Sequence, residues 1–73
     1  MKSPRFVDGW LRLPYRGPAN ALLVVHFDGE RHRAWYDRDE AHGWACIRLP
    51  ERPRRGTSVT LRADEQLAGN WIL

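Results

Sequence analysis

The sequence predicts an all-β domain, a small antiparallel sandwich or barrel of five to six short strands, and three observations support this class. Short runs in which apolar and polar residues alternate recur along most of the chain, as in strands with one buried side. Gly, Pro and Asp residues separate these runs where turns are needed. The one helical candidate, Ala63 to Ala68, is too short to be stable alone. We therefore expect at most one short helical turn, and we assign residues 1–73 to a single domain.

The first predicted strand runs from Phe6 to Leu13, with Gly9 as a bulge and Pro14 at its end. Because successive side chains point to opposite sides, the strand has two distinct sides. These sides are predicted to consist of Val7, Leu11 and Leu13, and of Phe6, Trp10 and Arg12. The segment that follows, Pro14 to Asn20, is rich in Pro and Gly and is predicted to be a surface loop.

The strongest local signal is a β-hairpin over Ala21 to Tyr36 with Asp28 and Gly29 as its turn. An Asp-Gly pair favours a type I′ turn, in which both central residues have a positive φ. The predicted pairing joins Phe27 with Glu30, Val25 with His32, Leu23 with Ala34, and Ala21 with Tyr36. On the opposite side it joins Leu22 with Trp35, Val24 with Arg33, and His26 with Arg31. Neither side is polar throughout, which is typical of a central hairpin.

Three further strands follow from the same alternation. They are predicted over Trp44 to Leu49, Ser58 to Arg62, and Asn70 to Leu73. The side chains expected to face the core from the first two are Ala45, Ile47, Leu49, Val59 and Leu61. The connections are predicted to be an acidic loop, Asp37 to Gly43, and a basic loop, Pro50 to Thr57.

The formal net charge of +3 conceals a polarised distribution. Residues 1–20 carry four cations and one acid, and residues 48–55 carry four cations and one acid, so each segment has a net charge of +3. Residues 21–47 carry three cations and five acids, a net charge of −2. Eleven of the twelve cations are Arg, whose guanidinium group pairs with carboxylates and phosphates and stacks on aromatic rings. This polarity favours binding to a charged partner.

The residues predict no enzyme, no cofactor and no metal site. One cysteine, Cys46, excludes an internal disulfide and a cysteine-based zinc site. His42 and Cys46 lie four positions apart, but on a loop and a strand. Asp37, Asp39 and Glu40 lack the spacing of a calcium-binding loop. A phosphate-binding Gly-rich motif is also missing from the sequence.

The chain shows no targeting signal. Met1 to Val7 has no apolar run of signal-peptide length, and the longest apolar stretch, Ala21 to Val25, is too short to span a bilayer. We therefore expect a cytoplasmic protein that does not enter a membrane.

Binding features are more numerous than catalytic ones. A domain of this size cannot bury all four of its tryptophans, which are Trp10, Trp35, Trp44 and Trp71. Exposed Trp beside Arg is typical of the residues that dominate the energy of protein interfaces. The segment Lys2 to Val7 is predicted to form an edge strand that offers backbone groups to a partner strand. Three arginines, Arg52, Arg54 and Arg55, could instead contact RNA through phosphates.

One group of motifs indicates a sandwich. The pattern Asp8-Gly-Trp10, Val24-Val-His-Phe-Asp-Gly29, Asp37-Arg-Asp39, His42-Gly-Trp44 and Leu49-Pro50 is similar to small β-sandwich modules appended to bacterial glycosyltransferases and polysaccharide enzymes. This resemblance implies the fold and, as an alternative function, a non-catalytic carbohydrate-binding or accessory module.

The chain as a whole has a second resemblance. An Arg-rich protein of 73 residues that opens Met1-Lys-Ser-Pro-Arg-Phe-Val-Asp-Gly-Trp10 resembles the small transcription regulators with which lytic phages take over host RNA polymerase. The resemblance implies binding to the β′ subunit N-terminus and the ω subunit near the RNA exit channel. It also implies inhibition of host initiation through weaker sigma-factor engagement, and prevention of termination with the host factor NusA.

The predicted sites combine both lines of reasoning. We expect Arg5, Phe6 and Val7 to meet the polymerase by strand addition or apolar docking, with Trp10 as a nearby anchor. We expect Arg52, Arg54 and Arg55 to face nascent RNA or an elongation factor. A small RNA-binding protein remains a further alternative.

Overall fold

The computed structural model describes residues 3–39 and 42–73. The predicted all-β class is confirmed, although the strands number eight instead of five to six. They are β1 (Arg5–Val7), β2 (Trp10–Tyr15), β3 (Leu23–Phe27), β4 (Glu30–Arg33), β5 (Trp35–Asp39), β6 (His42–Arg48), β7 (Ser58–Ala63) and β8 (Gln66–Ile72). The described residues include no helix, and hence none that is long and apolar enough to cross a membrane.

The strands form two four-stranded antiparallel sheets. The first sheet has the order β1-β2-β6-β5, and the second has the order β4-β3-β7-β8. The core consists of the side chains that both sheets direct inward, as alternation requires. Its most deeply buried members are Leu11, Leu13, Ala45 and Ile47 from the first sheet, and Leu23, Val25, Val59 and Leu61 from the second. The core positions predicted for Trp44 to Leu49 and for Ser58 to Arg62 are confirmed.

Tight turns account for most of the additional strands. Asp8 and Gly9 have φ values of 52° and 83°, and Asp28 and Gly29 have values of 51° and 72°. Positive φ at both central positions is the geometry of a type I′ hairpin turn, which suits Asp-Gly. The predicted single strand from Phe6 to Leu13 was therefore wrong, because the chain reverses at Asp8-Gly9 and β1 pairs with β2.

This reversal exchanges the sides predicted for two residues. Phe6 packs against the core, whereas Val7 lies on the outside, 51% exposed. In the β1–β2 pair Phe6 lies opposite Leu11 and Val7 lies opposite Trp10, so each shares the side of its partner. An ordinary bulge at Gly9 would have kept the strand direction, and the turn does not.

The predicted helical segment is also a hairpin. Asp64 and Glu65 have φ values of 49° and 69°, and they connect β7 to β8. The Asp64 carboxylate accepts a hydrogen bond of 2.9 Å from the Leu22 amide, and the Leu22 carbonyl accepts one of 2.9 Å from the Asp64 amide. These bonds tie the turn to the start of β3 and replace the helical bonds expected between Ala63 and Ala68. The last strand consequently begins at Gln66, four residues before the predicted start.

The central hairpin is confirmed near its turn and was wrong farther away. Val25 pairs with His32 and Phe27 pairs with Glu30, as predicted. At Ala34, however, the chain leaves the second sheet, and the Ala34 amide donates a last hydrogen bond of 2.9 Å to Leu23. The residues from Trp35 onward join the first sheet beside β6. The predicted pairs of Tyr36 with Ala21 and of Trp35 with Leu22 therefore do not form.

The two predicted loops around β6 have different outcomes. Strand pairing continues from Trp35 to Asp39 and resumes at His42, so most of the predicted acidic loop is strand; its residues 40 and 41 lie outside the described part of the chain. The basic connection from Pro50 to Thr57 contains no strand. Thr57 orders its end by donating to the Arg54 carbonyl, through the amide at 3.1 Å and through Oγ1 at 2.7 Å.

Candidate protein-docking surface

The outer side of the first sheet is unusually aromatic for a solvent-facing sheet surface. We call it the tryptophan face, and its residues are Arg5, Val7, Trp10, Arg12, Trp35, Asp37, Asp39, Trp44, Cys46 and Arg48. The registers place Trp10 opposite Arg48 and Trp35 opposite Cys46 on this side. Antiparallel sheets usually carry polar residues on the side away from the core. Tryptophans that are exposed on such a side indicate a surface that contacts something other than water.

Two of these tryptophans are accessible. Trp10 is 38% exposed and Trp35 is 57% exposed. The Arg48 guanidinium carbon lies 5.4 Å from the Trp10 ring centroid, and the Arg33 guanidinium carbon lies 4.7 Å from that of Trp35. Cation–π contacts of this kind hold the arginines in place and keep their charge at the surface. Each pair therefore presents an aromatic ring together with a cation.

The third tryptophan is buried although it points away from the core. Trp44 is only 1% exposed, and its indole lies under two arginines. The guanidinium carbons of Arg5 and Arg12 lie 5.4 Å and 5.5 Å from its ring centroid. Arg12 is held by Asp37 at 2.6 Å and by Asp39 at 3.1 Å. The tryptophan face is thus a second, small apolar layer with a covering of charged side chains.

A shallow cavity of about 350 Å³ lies between the two accessible tryptophans. Its lining includes Val7, Trp10, Trp35, Asp37 and Cys46. Burial raises the pKa of the Cys46 thiol above its ordinary value of 9.0, although a hydrogen bond and the charge of Arg12 act in the opposite direction. The thiol is therefore protonated at neutral pH and is a poor nucleophile there.

Alkaline pH is expected to destabilise the fold through two groups. Burial raises the pKa of Cys46 above 9.0 and that of Tyr15 above 10.0. The folded state keeps protons that the unfolded state releases, so stability is complete below about pH 9 and decreases as the pH rises above it. The Tm measured by circular dichroism should be constant from pH 7 to 8.5 and should fall at pH 10 to 10.5. Each kcal/mol lost corresponds to roughly 4–8 °C in a domain of this size.

A double variant that lacks both titrating groups, the Cys46 thiol and the Tyr15 hydroxyl, tests this expectation. Cys46→Ala combined with Tyr15→Phe keeps most of the packing, and its Tm should fall less between pH 8.5 and 10.5 than that of the wild type. An equal fall in both proteins would mean that these groups do not control the alkaline transition. Tyr15→Phe also removes the hydrogen bond of 2.9 Å to the Pro18 carbonyl, so the comparison concerns the change with pH and not the absolute Tm.

A second concave surface lies at the edge of the first sheet beside β1. We call it the arginine groove; it has a volume of about 410 Å³ and is lined by Pro4, Arg5, Phe6, Leu11, Arg52, Pro53, Arg55 and Leu73. The Arg52 guanidinium carbon lies 5.8 Å from the Phe6 ring centroid. The Leu73 carbonyl accepts a hydrogen bond from the Gly56 amide, which holds the basic loop against the last strand. The groove therefore combines three cations with rigid apolar walls.

The structure brings together most of the residues that the sequence predicted as sites. Arg5, Phe6, Arg52 and Arg55 line the arginine groove, so the two predicted surfaces adjoin. Val7 and Trp10 line the neighbouring cavity on the tryptophan face. Arg54 is exposed in the basic loop and does not line the groove. Phe6 differs from the expected exposed contact because its ring is half-buried and packs against the core.

Sequence reasoning missed the contribution of Trp35 to the tryptophan face. It assigned Trp35 to an uninterrupted hairpin arm, whereas the break at Ala34 moves this residue into the first sheet. A usable signal existed, because alternation places Trp10 on the side of its strand opposite Leu11 and Leu13, and Trp44 on the side opposite Ala45 and Ile47. Two tryptophans so placed already indicate an aromatic outer surface.

Within residues 3–39 and 42–73, no three His, Cys, Asp or Glu side chains lie close enough together to hold a metal ion. Comparisons with protein families, curated proteins and solved structures find no match for this chain.

Proposed function

We propose that this protein is a phage-encoded regulator that binds host bacterial RNA polymerase near the RNA exit channel. In this proposal it contacts the β′ and ω subunits, inhibits host transcription initiation and, with NusA, prevents termination. The proposal joins the resemblance of the whole chain to its surface geometry. The observation that carries it is that exposed side chains of the N-terminal strand continue directly into an aromatic and basic surface.

The surface has the composition of a protein interface. Val7 and Trp10 lie opposite each other across β1 and β2, and both are exposed. Trp35 extends the apolar patch, while Arg33 and Arg48 stack on the tryptophans at its border. Trp and Arg are enriched among the residues that contribute most to binding, particularly where the arginine is already held in place. This arrangement favours docking onto a larger protein.

The proposed action is steric and electrostatic, because the protein is small and its surface is polarised. A compact domain seated near the RNA exit channel weakens sigma-factor engagement by occupying shared surface. Arg52, Arg54 and Arg55 are exposed in the basic loop, and Arg52 and Arg55 line the arginine groove. From there, these arginines would face nascent RNA or an elongation factor.

A pair of surface variants tests the proposal. Val7→Ser with Trp10→Ser removes the exposed apolar contacts of the docking surface without a core change. Leu67→Ser with Ile72→Ser is the matched control, because these side chains are 63% and 68% exposed on the second sheet. Affinity for purified RNA polymerase, measured by biolayer interferometry, should fall at least about thirtyfold for the first pair, as for loss of roughly 2 kcal/mol at an interface hot spot. The control should bind as the wild type does.

Two functional assays accompany the binding measurement. The wild type should reduce promoter-dependent initiation and should increase read-through of a terminator in the presence of NusA, and the Val7 and Trp10 pair should do neither. If both variant pairs bind RNA polymerase with equal affinity, Val7 and Trp10 do not form the docking surface. A wild-type chain that does not bind polymerase removes the proposed function. Phe6→Ala is avoided here because Phe6 packs against the core.

A carbohydrate-binding module is the second candidate, and one observation favours it. Trp10 and Trp35 border a cavity of about 350 Å³ that also contains Asp37 and Arg12, so flat rings and polar groups converge on one site. This candidate predicts binding on a glycan array that is lost in Trp35→Ala, and no affinity for polymerase.

RNA binding is the third candidate, since Arg52, Arg54 and Arg55 are all exposed in one loop. A protein that binds RNA through phosphates should hold a naked RNA strand with an affinity that falls steeply as salt increases. Affinity that does not change between 50 and about 200 mM salt would contradict this candidate.

A further inference from the structure

The arginine groove contains three guanidinium groups that form no ion pair with an Asp or Glu side chain of the described residues. Arg5, Arg52 and Arg55 line it together, and no Asp or Glu side chain is among the lining residues. Ion pairs with carboxylates are found for Arg12 but not for these three arginines among residues 3–39 and 42–73. Like charges gathered in a concave site repel each other, and an anion placed between them relieves the repulsion. The groove is therefore suited to an anionic ligand.

The remaining walls of the groove are apolar and stiff. They consist of Pro4, Phe6, Leu11, Pro53 and Leu73. Proline has a fixed φ, and the Phe6 ring is held by the core on one side and by Arg52 on the other. A bare phosphate would leave these walls in contact with water. A ligand that satisfies the whole site carries an apolar group next to its negative charges.

The groove runs beside a strand edge that is open among the described residues. In a two-residue hairpin the residues flanking the turn exchange hydrogen bonds, so Val7 and Arg5 direct their amides and carbonyls toward β2. Phe6, between them, directs its amide and carbonyl away from the sheet. No described strand occupies that side, because β1 is the first strand of its sheet. Phe6 can therefore pair with one residue of an incoming extended segment.

From these observations we infer that the arginine groove and the β1 edge bind an extended acidic segment of the protein partner, with an apolar side chain over Phe6 and carboxylates on either side of it. Side chains of an added strand alternate, so neighbours of the apolar residue reach toward Arg5, and residues two positions away reach toward Arg52 and Arg55. The inference deepens the proposed function and rests on it for the identity of the partner, the polymerase. It assigns Arg52 and Arg55 to a segment of the polymerase and leaves Arg54, which does not line the groove, to face nascent RNA or an elongation factor. The chemistry of the segment rests on the groove alone.

The short edge explains why charge must contribute to recognition. A strand of three residues offers the backbone hydrogen bonds of one residue, Phe6, which is too little for a specific complex. Charge-assisted hydrogen bonds from arginine to carboxylate are roughly twice as strong as neutral ones. Acidic side chains therefore supply most of the selectivity, and the apolar wall determines their register.

The test uses the whole chain and three defined probes. The first is a capped heptapeptide, Gly-Glu-Glu-Val-Glu-Glu-Gly, which has glutamates one and two positions from its central valine; the second replaces each glutamate by glutamine, and the third is a uridine octamer. By fluorescence anisotropy, the glutamate peptide should bind at least about tenfold more tightly than the glutamine peptide, as expected for charge-assisted contacts. Binding of the glutamate peptide should also increase the hydrogen-exchange protection of the Phe6 amide.

Matched charge variants locate the site. Arg52→Gln with Arg55→Gln should weaken binding of the glutamate peptide at least about tenfold. Arg31→Gln with Arg62→Gln removes the same charge from exposed positions on the second sheet and should have little effect. Because all four arginines are exposed, circular dichroism should show the same fold in both variants.

Three results would overturn the inference. They are equal affinity for the glutamate and glutamine peptides, tighter binding of the uridine octamer than of the glutamate peptide, and an equal loss in the two arginine pairs. The proposed function fails separately, when wild-type protein does not bind polymerase. If the protein binds the glutamate peptide but not polymerase, the groove does bind an acidic segment, but the partner that supplies it is not polymerase.

Discussion

Trp44→Ala is expected to lower the free energy of unfolding by about 3–5 kcal/mol, the usual cost of removing a large buried aromatic side chain. Trp44 is 1% exposed and is the largest fully buried side chain among the described residues. Removing it leaves a cavity beneath Arg5 and Arg12 and removes the ring on which both guanidinium groups lie. A domain of 73 residues has roughly 4–11 kcal/mol of stability in total, so this change brings the fold close to its limit.

Trp35→Ala is the matched control, because it removes the same side chain from the neighbouring strand of the same face. Trp35 is 57% exposed, and its loss should change stability by less than about 1 kcal/mol. Urea unfolding followed by fluorescence and circular dichroism measures both variants. If they lose equal stability, Trp44 does not form the buried layer described here. A stable Trp35→Ala protein would also be the appropriate variant for ligand-binding assays.

Arg12→Ala should cost about 2 kcal/mol, mainly because it uncovers Trp44. The Arg12 side chain is 25% exposed, whereas those of Asp37 and Asp39 are 54% and 46% exposed. Ion pairs with partners this exposed are screened by solvent and contribute little to stability. The aliphatic stem of Arg12 contributes more, since long charged side chains cover apolar surface while the charge remains in water.

The Arg12→Met variant distinguishes the apolar contact of this side chain with Trp44 from its ion pairs with Asp37 and Asp39. Methionine retains an unbranched apolar side chain over Trp44 but cannot pair with Asp37. Because apolar cover of Trp44 accounts for most of the contribution of Arg12, the Arg12→Met protein should lose less than half of the stability lost in Arg12→Ala. Unfolding in urea at 50 mM and 500 mM sodium chloride adds a second measurement. If the ion pairs dominated, both variants would be equally unstable and the wild type would weaken at high salt.

The candidate site depends on the same layer that stabilises the first sheet. Arg5 contacts Trp44 and also lines the arginine groove, so the groove and the tryptophan face share a residue. Variants of Arg5 or Arg12 would therefore change stability and binding together. Val7, Trp10 and the arginines of the basic loop are exposed, and their variants report on binding with less effect on the fold.

Local chemistry explains which parts of the fold were predictable. The Asp28-Gly29 turn was recognised because both residues tolerate positive φ, and strand register follows from the turn. Asp8-Gly9 has the same chemistry, but the apolar alternation on both sides of it suggested one longer strand. The turn at Asp64 and Glu65 has a weak local signal, since a glutamate rarely adopts a φ of 69° without support from surrounding structure.

The sequence by itself determined the all-β class, the inward residues of β3, β6 and β7, and the central turn, because these depend on alternation and on backbone preferences over a few residues. The tertiary structure alone decided that Ala34 divides one arm between two sheets, that Trp10, Trp35 and Trp44 share a face, and that Arg52 and Arg55 meet β1. Those outcomes depend on which distant strands pair and on what covers each side chain. Such contacts join residues far apart in the chain, where spacing along the sequence carries no information about distance in space.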